Sequence, residues 1–327
     1  MSILDAAIMV GAESTYGTPA TLTRAFEGKA DTFNREQARL ESVGFRADMQ
    51  ALRSDRVVTV NMGGAASLEL DVLNKGMGLL LGGAFGSKAG PTQIASTAAY
   101  TQTYATTDAA PADSFTMQIL RPKLETGTEP FTYHGCKITG WNIAQSTDGL
   151  LMMTYDLDFE DSDHSTAAGT PSYPSAATPF SWPQCTITLD PDGTPEVLDV
   201  LDFSLTADLA LKTDRRYLRG SELKKEPVRG GVPSYTGEIS VDFTGTERYD
   251  EWTAQTDLDV EVAWTGANIE GANDFQFALR MPAVQWTGGN PEVSLSDTPV
   301  QALPFQALHN GTDAVITCTY ISTDDAV

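Results

Sequence analysis

The sequence is poor in basic residues and in cysteine. Lysine and arginine number 21 against 44 aspartates and glutamates, so the formal net charge is −23 at pH 7. A surface of that sign repels phosphate over most of its area, which argues against stable nucleic-acid binding.

The three cysteines, Cys136, Cys185 and Cys318, are odd in number and far apart. A disulfide framework is therefore excluded, and we expect reduced thiols.

The sequence also lacks a long hydrophobic run. Its most apolar stretch, residues 77–85, is interrupted by glycine and is far shorter than the roughly 20 residues that cross a bilayer. The N-terminus carries no basic region ahead of its short apolar segment, so a signal peptide is not expected. We therefore expect no membrane partner and a product that folds in the cytoplasm.

Signatures of enzymes are missing as well. There is no Gly-x-Ser-x-Gly, Walker or Rossmann loop, and His134, His164 and His309 have no metal-ligand spacing. We expect no catalytic activity, no cofactor and no metal site. A glycosidase-like pair of carboxylates is the enzyme alternative. The acids are dispersed along strands, however, which favours a solvated surface.

What the sequence has in quantity is alternation of apolar and polar residues, the period of a half-buried strand. This period dominates from Phe45 onward. Within residues 151–160 the apolar positions alternate with polar ones, and the polar set ends in three acids, Asp156, Asp158 and Glu160. The pattern predicts a sheet with one apolar face and one wet, acidic face.

The strand pattern starts twice along the chain. A stretch rich in Ser, Thr, Ala and Pro separates two strand-rich halves and is typical of a linker. We predict an N-terminal arm (1–30), a first module (31–165), a linker (166–184) and a second module (185–327). Each half has one short predicted helix, over 73–81 and 247–255, and the strand before the first helix recurs 171 positions later. The residues after Gly82 are interpreted as a long Ala/Thr loop.

One segment departs from the acidic background. Seven of the 21 cations lie within 18 residues, from Lys212 to Arg229. Two interpretations are open: a solvated hairpin tip that balances local charge, or a basic arm attracted to an acidic protein surface. Since the rest of the chain is acidic, the partner of such an arm would be another copy of the same chain. Self-assembly is the hypothesis that follows.

Three segments resemble a known protein family. They are the run Gly11-Ala12-Glu13-Ser14-Thr15-Tyr16-Gly17-Thr18-Pro19, the run from Tyr133 to Trp141 followed by Asp148-Gly149-Leu150-Leu151, and the strand-to-helix stretch from Leu70 to Leu81. Together they cover most of the first half and are similar to tail tube proteins (major tail proteins) of long-tailed bacteriophages. The second half resembles the family in its strand pattern and its Arg-rich loop.

The resemblance implies a mainly β fold of two tandem antiparallel β-sandwich or barrel tube modules, each with a short flanking helix. It implies a structural virion protein whose copies join into rings, and rings that stack into a hollow conduit for the genome. The family's ring has six modules. Three copies of a two-module chain would complete it, or six copies if the second half is decoration.

The resemblance also implies roles for individual residues. Asp156, Asp158 and Glu160 would face a channel that repels phosphate. The inter-ring assembly loop would carry six cations, Arg215, Arg216, Arg219, Lys224, Lys225 and Arg229, with a first-half counterpart around residues 46–56.

The partners that the resemblance implies are other copies of the chain and the neighbours of a tail tube. A tape-measure protein and transiting double-stranded DNA would occupy the channel without tight binding, and tail-terminator and tail-tip proteins would contact the ends of the tube. The location would be the virion tail, after assembly in the host cytoplasm.

Three alternatives stay open from sequence. A tail-terminator or tail-tip ring would share the fold but stop at one ring. A capsid decoration protein would share the virion but not the tube. A secreted carbohydrate-active β-sandwich enzyme is disfavoured, because no signal peptide is evident.

Overall fold

The computed structural model describes residues 5–44, 46–125, 127–190, 192–291 and 299–327. The described residues form twenty strands and two α-helices. The first half contains β1 (Ala7–Ala12), β2 (Arg24–Phe26), β3 (Asn34–Glu41), β4 (Val57–Asp71), α1 (Gly78–Phe85), β5 (Gly86–Gln93), β6 (Tyr100–Thr106), β7 (Phe115–Pro122), β8 (Thr128–Ser146), β9 (Met152–Phe159) and β10 (Asp161–Asp163). The second half contains β11 (Cys185–Leu189), β12 (Glu196–Leu198), β13 (Val200–Asp208), β14 (Leu211–Lys212), β15 (Val228–Arg229), β16 (Ser234–Asp242), α2 (Glu247–Ala254), β17 (Leu258–Glu270), β18 (Asn273–Trp286), β19 (Val300–Ala307) and β20 (Thr317–Ser322).

Strands dominate the fold, so the prediction of a mainly β protein is confirmed. Each of the two helices has eight residues. No helix in the described part of the chain is long and apolar enough to cross a membrane.

Eight strands form one continuous antiparallel sheet, called here the inner sheet. Their order is β3-β4-β9-β8-β13-β16-β19-β18. The first four strands belong to the first half and the last four to the second. The halves join where β8 pairs with β13, from Gly140↔Asp208 to Ser146↔Asp202. Since side chains alternate along each strand, one face of the inner sheet is apolar and the other is polar.

A second layer covers the apolar face of the inner sheet in each half. Its strand order is β2-β1-β7-β8-β10 in the first half and β12-β11-β17-β18-β20-β6-β5 in the second. The long strands β8 and β18 belong to both layers. Side chains from both layers and both halves merge into one large apolar core, because stacked sheets bury the faces that they turn toward each other.

The order and pairing of the strands repeat between the halves. The series β1-β2-β3-β4-α1-β7-β8-β9-β10 corresponds to β11-β12-β13-β16-α2-β17-β18-β19-β20. Even a β-bulge recurs: the register shifts directly after Phe115↔Cys136 in the first half and directly after Leu258↔Val284 in the second. Bulges occupy defined positions in a fold, so this coincidence supports the two-module organisation.

The loop expected after Gly82 is wrong. Strands β5 and β6 form a hairpin there, and β6 pairs with β20 from Tyr100↔Ser322 to Ala105↔Thr317. The alternation in β6 is carried by Thr, Gln and Tyr rather than by aliphatic residues, with Gln102 and Tyr104 buried. A search for apolar periodicity therefore misses it. This hairpin is the second sheet connection between the halves.

The first helix begins later than its apolar pattern indicates. We predict residues 73–81, whereas α1 spans Gly78–Phe85. The residues before it turn instead: Gly76 has φ +82°, and the backbone amide of Asn74 donates to Thr178 O (2.9 Å). A left-handed φ cannot continue a right-handed helix. The second helix, α2, agrees with its prediction to within one residue.

The predicted linker and arm lie against the first half. Residues 164–181 contain no strand, yet Ala25 N donates to Ser172 O (2.8 Å) and Phe180 is buried. The predicted arm contributes β1 and β2 to the second layer of the first half. Residues 1–4 of the arm lie outside the described residues. The boundaries of the four predicted segments stay predictions.

The shared core predicts that the two halves unfold together. Leu205 on β13 is fully buried at the junction, opposite Ile143 of β8. We expect Leu205→Ala to lower the free energy of unfolding by about 3 kcal/mol through the lost contacts and the cavity. Calorimetry should record one transition for the native chain and one, at lower temperature, for the variant. The exposed control Thr236→Ala should change stability by less than about 0.5 kcal/mol. Two separate transitions in the native chain would contradict a common core.

Candidate functional site

The open face of the inner sheet is acidic. Seven exposed or half-exposed acids alternate there with buried core residues: Glu69, Asp71, Asp156, Asp202, Asp208, Glu238 and Asp242. Glu36 lies on the same face, on the fully exposed strand β3. Of the seven, only Asp156 was singled out from the sequence. The other six occupy the polar positions of their strands, so the alternation was the signal that could have found them. The face as a whole repels anions.

The basic segment is a long hairpin loop between β13 and β16. Its base is the short pair β14–β15, and its residues 213–227 lie on the first half of the same chain. Met62 N of β4 donates to Glu222 O (3.4 Å), and Arg216 Nη2 donates to Met62 O (2.9 Å). The loop therefore crosses from the second half to the first above the junction between β8 and β13.

Two ion pairs fasten this loop to the first half, and we call them the clasp. Lys224 pairs with Asp158, and Glu226 pairs with Lys137. The first-half partners of the loop, Lys137 and Asp158, are directly opposite each other on β8 and β9. The side chains of Lys224, Lys137 and Asp158 are 5%, 2% and 11% exposed. Charges so deeply buried are tolerated only when they are paired.

The electrostatics of the clasp reflect its burial. Burial raises the pKa of the Asp158 carboxyl, and the adjacent Lys224 ammonium opposes that rise. One carboxylate oxygen of Asp158, Oδ2, is buried and has no hydrogen-bond partner among the described residues. The carboxylate thus depends on Lys224, because without the Lys224 ammonium it would be buried and unpaired.

The other predicted loop cations also contact their own chain. Arg215 donates to Glu226 O (2.5 Å), and Arg219 donates to Leu223 O (3.0 Å). Lys225 Nζ lies 5.4 Å from the ring centroid of Tyr217. Arg229 donates to Leu209 O, Thr107 O and Ala109 O. The inter-ring role of these six cations stays a prediction, and the exposed tip at Tyr217 and Leu218 is the part of the loop left open for it.

The three predicted channel acids occupy different environments. Asp156 is exposed on the open face, Asp158 is buried beneath Lys224, and Glu160 is half-buried. Burial raises the pKa of the Glu160 carboxyl, and the positive charge of Arg219 opposes that rise. Alternation alone assigned the three acids to one face, but a covering loop from the second half separates them. Their position in a channel stays a prediction.

Glu13 is a structural residue that sequence reasoning left without a role. Its carboxylate accepts four hydrogen bonds: from Gly17 N (2.9 Å), Gly135 N (2.8 Å), Ser114 Oγ (2.9 Å) and Thr116 Oγ1 (2.9 Å). It thereby ties the turn after β1 to both β7 and β8. The signal was present, since Glu13 lies inside the N-terminal segment that carries the family resemblance.

No group of three or more metal-ligating side chains converges within the described ranges. The cysteines of the described structure are free, with Cys136 and Cys318 buried. Burial raises the pKa of the Cys185 thiol to about 12.

The clasp predicts an asymmetry between single and double replacement. Lys224→Met should cost about 3 kcal/mol or more of unfolding free energy, because it leaves Asp158 buried and unpaired. The double variant Lys224→Met with Asp158→Leu should recover most of that loss, since no unpaired charge remains. Urea denaturation followed by circular dichroism measures both. Lys225→Met, on the same loop but exposed, should cost about 1 kcal/mol or less. Equal losses for both lysine variants would contradict the assignment.

Glu13 should be sensitive even to an isosteric change. All four of its partners are donors, so Glu13→Gln turns an amide NH₂ toward at least one of them. We expect Glu13→Gln and Glu13→Ala each to lower the free energy of unfolding by at least about 2 kcal/mol. The exposed Glu27→Ala serves as control and should stay within about 0.5 kcal/mol of the native chain. Native stability of Glu13→Ala in the same denaturation experiment would remove this role.

Comparison with known proteins agrees with the resemblance found in the first half. A family model described as phage tail tube protein matches residues 4–307. No curated protein matches the chain. The match extends through both halves, including the basic loop and nearly all of the inner sheet. The chain therefore belongs to the phage tail tube protein family, a family of structural proteins of the virion tail.

Proposed function

We propose that three copies of this chain close into a ring and that rings stack into a hollow tube through which the phage genome passes. The observation that carries the proposal is the junction inside the chain, where β8 of the first half pairs with β13 of the second. Each half brings four strands to the inner sheet, so one chain supplies two modules side by side. Three such chains give the six modules of the family's ring, with pseudo-sixfold symmetry.

The ends of the inner sheet supply the contact between copies. At one end, β4 is the single strand that pairs with β3 among the described residues, and all eight residues of β3 are exposed. At the other end, Gln285 and Trp286 of β18 pair with β19 alone within the same described ranges. An open edge exposes unpaired backbone groups that bind another strand readily. By analogy with the β8–β13 junction, β3 of one copy continues the inner sheet of the next at its β18 end.

Closing the inner sheet into a cylinder decides which face lines the channel. The apolar face is covered by the outer layer of strands, so the open acidic face turns inward. Duplex DNA would then meet a wall that repels phosphate and offers it few cations to bind. A genome could move along such a wall without being held, and a tape-measure protein could occupy the bore before it.

A structural role in the tail does not by itself distinguish a tube subunit from the subunit of a tail-tip or terminator ring. A tail-tip or terminator ring would use the same edges but would not elongate, whereas a capsid decoration protein would not form hollow filaments. We propose no catalytic activity. Negative-stain electron microscopy of concentrated purified protein distinguishes these cases: long hollow filaments support the tube, single rings support a terminal ring, and compact particles support decoration.

The edge contact can be tested at one backbone amide of β3. Gln37 is opposite Met62, and the amide of Met62 points away from β3, toward Glu222 O. In an antiparallel pair, two opposite residues either both point their amides toward the other strand or both point them away from it. The amide of Gln37 therefore faces the open edge, where an adjacent copy would accept its hydrogen.

We expect Gln37→Pro to prevent ring closure while the subunit stays folded, because proline removes that amide and is tolerated on an edge strand. The concentration needed for assembly, measured by light scattering, should rise at least about tenfold. Gln37→Ala keeps the amide and loses the same side chain, so it should assemble like the native chain. Tubes formed equally well by both variants would contradict pairing through β3.

A further inference from the structure

The clasp loop has a counterpart in the first half that forms no ion pair with any other described segment of the chain. The loop between β3 and β4, residues 42–56, has the same length as residues 213–227 of the clasp loop. Both loops are held at their base by matching strand pairs, Glu41↔Val57 and Lys212↔Val228. Every one of these positions recurs 171 residues later, so the two loops are equivalent parts of the two modules.

The equivalence extends to the residues that form the clasp. The sequence Leu-Arg-Ser-Asp at 52–55 stands where the clasp loop has Leu-Lys-Lys-Glu at 223–226. Arg53 thus corresponds to Lys224, and Asp55 corresponds to Glu226. Each position keeps the sign of its charge, although the neighbouring residues differ.

The first-half residues that the clasp loop binds also have counterparts in the second half. Lys137 and Asp158 are opposite each other on β8 and β9. In the second half, Gln285 and Gln306 are opposite each other on β18 and β19, 148 positions later in each case. The shared bulge fixes the same shift, since Cys136 corresponds to Val284. A charged pair in the first half is therefore replaced by a pair of amides in the second.

The loop 42–56 cannot reach these amides in its own chain. It extends from β3, whereas Gln306 is on β19, six strands away across the inner sheet, roughly 30 Å at the usual strand spacing. In the described structure Arg53 pairs with Asp55 on its own loop. Leu52 is 50% exposed, whereas its counterpart Leu223 is half-buried.

We propose that Arg53 and Asp55 of one copy bind Gln306 and Gln285 of the adjacent copy in the same ring, reproducing between chains the clasp that Lys224 and Glu226 form within one. The inference rests on the proposed ring. The Arg53 guanidinium donates to Gln306 Oε1. Gln285 Nε2 already donates to Asp257 Oδ1 (2.7 Å) within its own chain, and its second N–H donates to the Asp55 carboxylate. The segment around residues 46–56, expected from the family resemblance to reach the adjacent ring, is thereby assigned to the neighbour within its own ring.

The amides of Gln285 and Gln306 suit a binding surface that is exposed to solvent before assembly. An amide offers both a donor and an acceptor, and it leaves no unpaired charge when the partner's loop buries it. Two other contacts of the clasp loop have no equivalent here. Pro233 stands at the position of Met62 and has no amide to donate, and Phe45 stands at the position of Arg216, which donates to Met62 O. The side chains of Arg53 and Asp55 therefore carry the contact.

A charge exchange tests the pairing. Arg53→Glu removes the ion pair with Asp55 and leaves two carboxylates of like charge to be buried in the contact, so the concentration needed for assembly should rise at least about tenfold. Gln306→Lys should have a similar effect, and combining the two should restore assembly through a new ion pair. Arg46→Glu makes the same charge change on the same loop at a position whose counterpart, Tyr217, is outside the clasp. It should therefore close rings normally, and negative-stain microscopy counts the rings separately from their stacking. Circular dichroism verifies that each subunit is folded.

The outcomes separate this inference from the proposed function. Native chains that form no rings would overturn both. Native chains that form tubes while Arg53→Glu assembles equally well, or while the exchanged pair fails to recover, would overturn only the inter-chain clasp.

Cysteine cross-linking decides which neighbour the loop contacts. With Arg53→Cys and Gln306→Cys in one chain, oxidised assemblies should give covalent products that end at three copies, because a ring of three closes on itself. A contact with the next ring would instead link copies along the tube and give products far beyond three. Such a continuing ladder, or assembled tubes without any cross-link, would contradict the proposal.

Discussion

The structure depends on one constraint: every strand of the inner sheet has two edges, and each unpaired edge must find a partner. Inside the chain this requirement joins the halves, because β8 pairs with β13 and β6 pairs with β20. Among the described residues it leaves β3 with one open edge. An exposed edge strand is a liability for a solitary protein, and in the proposed ring it is the contact between copies.

In the proposed ring, the junction between the halves has the same arrangement as the contact between copies. Its strand pairing and its clasp lie within one subunit. Covalent linkage raises the effective concentration of the two surfaces. The contact inside the chain can therefore include buried charges such as Lys137 and Asp158, whose partners are always at hand.

Charge is divided between the faces of the fold. The acids accumulate on the open face of the inner sheet, while the densest group of cations is used by the loop that crosses the junction. The strong net negative charge of the sequence is therefore spread over the open face of the inner sheet and is not concentrated in one binding site. The loop's cations act mainly on backbone carbonyls and on one carboxylate of their own chain, that of Asp158, so they are engaged within the subunit.

The sequence by itself determined the strand-rich class, the two helices, the repeat at a spacing of 171 and the family resemblance, because these depend on local alternation and on short motifs. It could not determine that Lys224 buries Asp158, that β6 joins β20, or that Glu13 holds β7 and β8. Those contacts bring together residues far apart in the chain, and each depends on the position of both partners. Alternation tells which face a side chain occupies, but only the packed tertiary structure decides what covers that face.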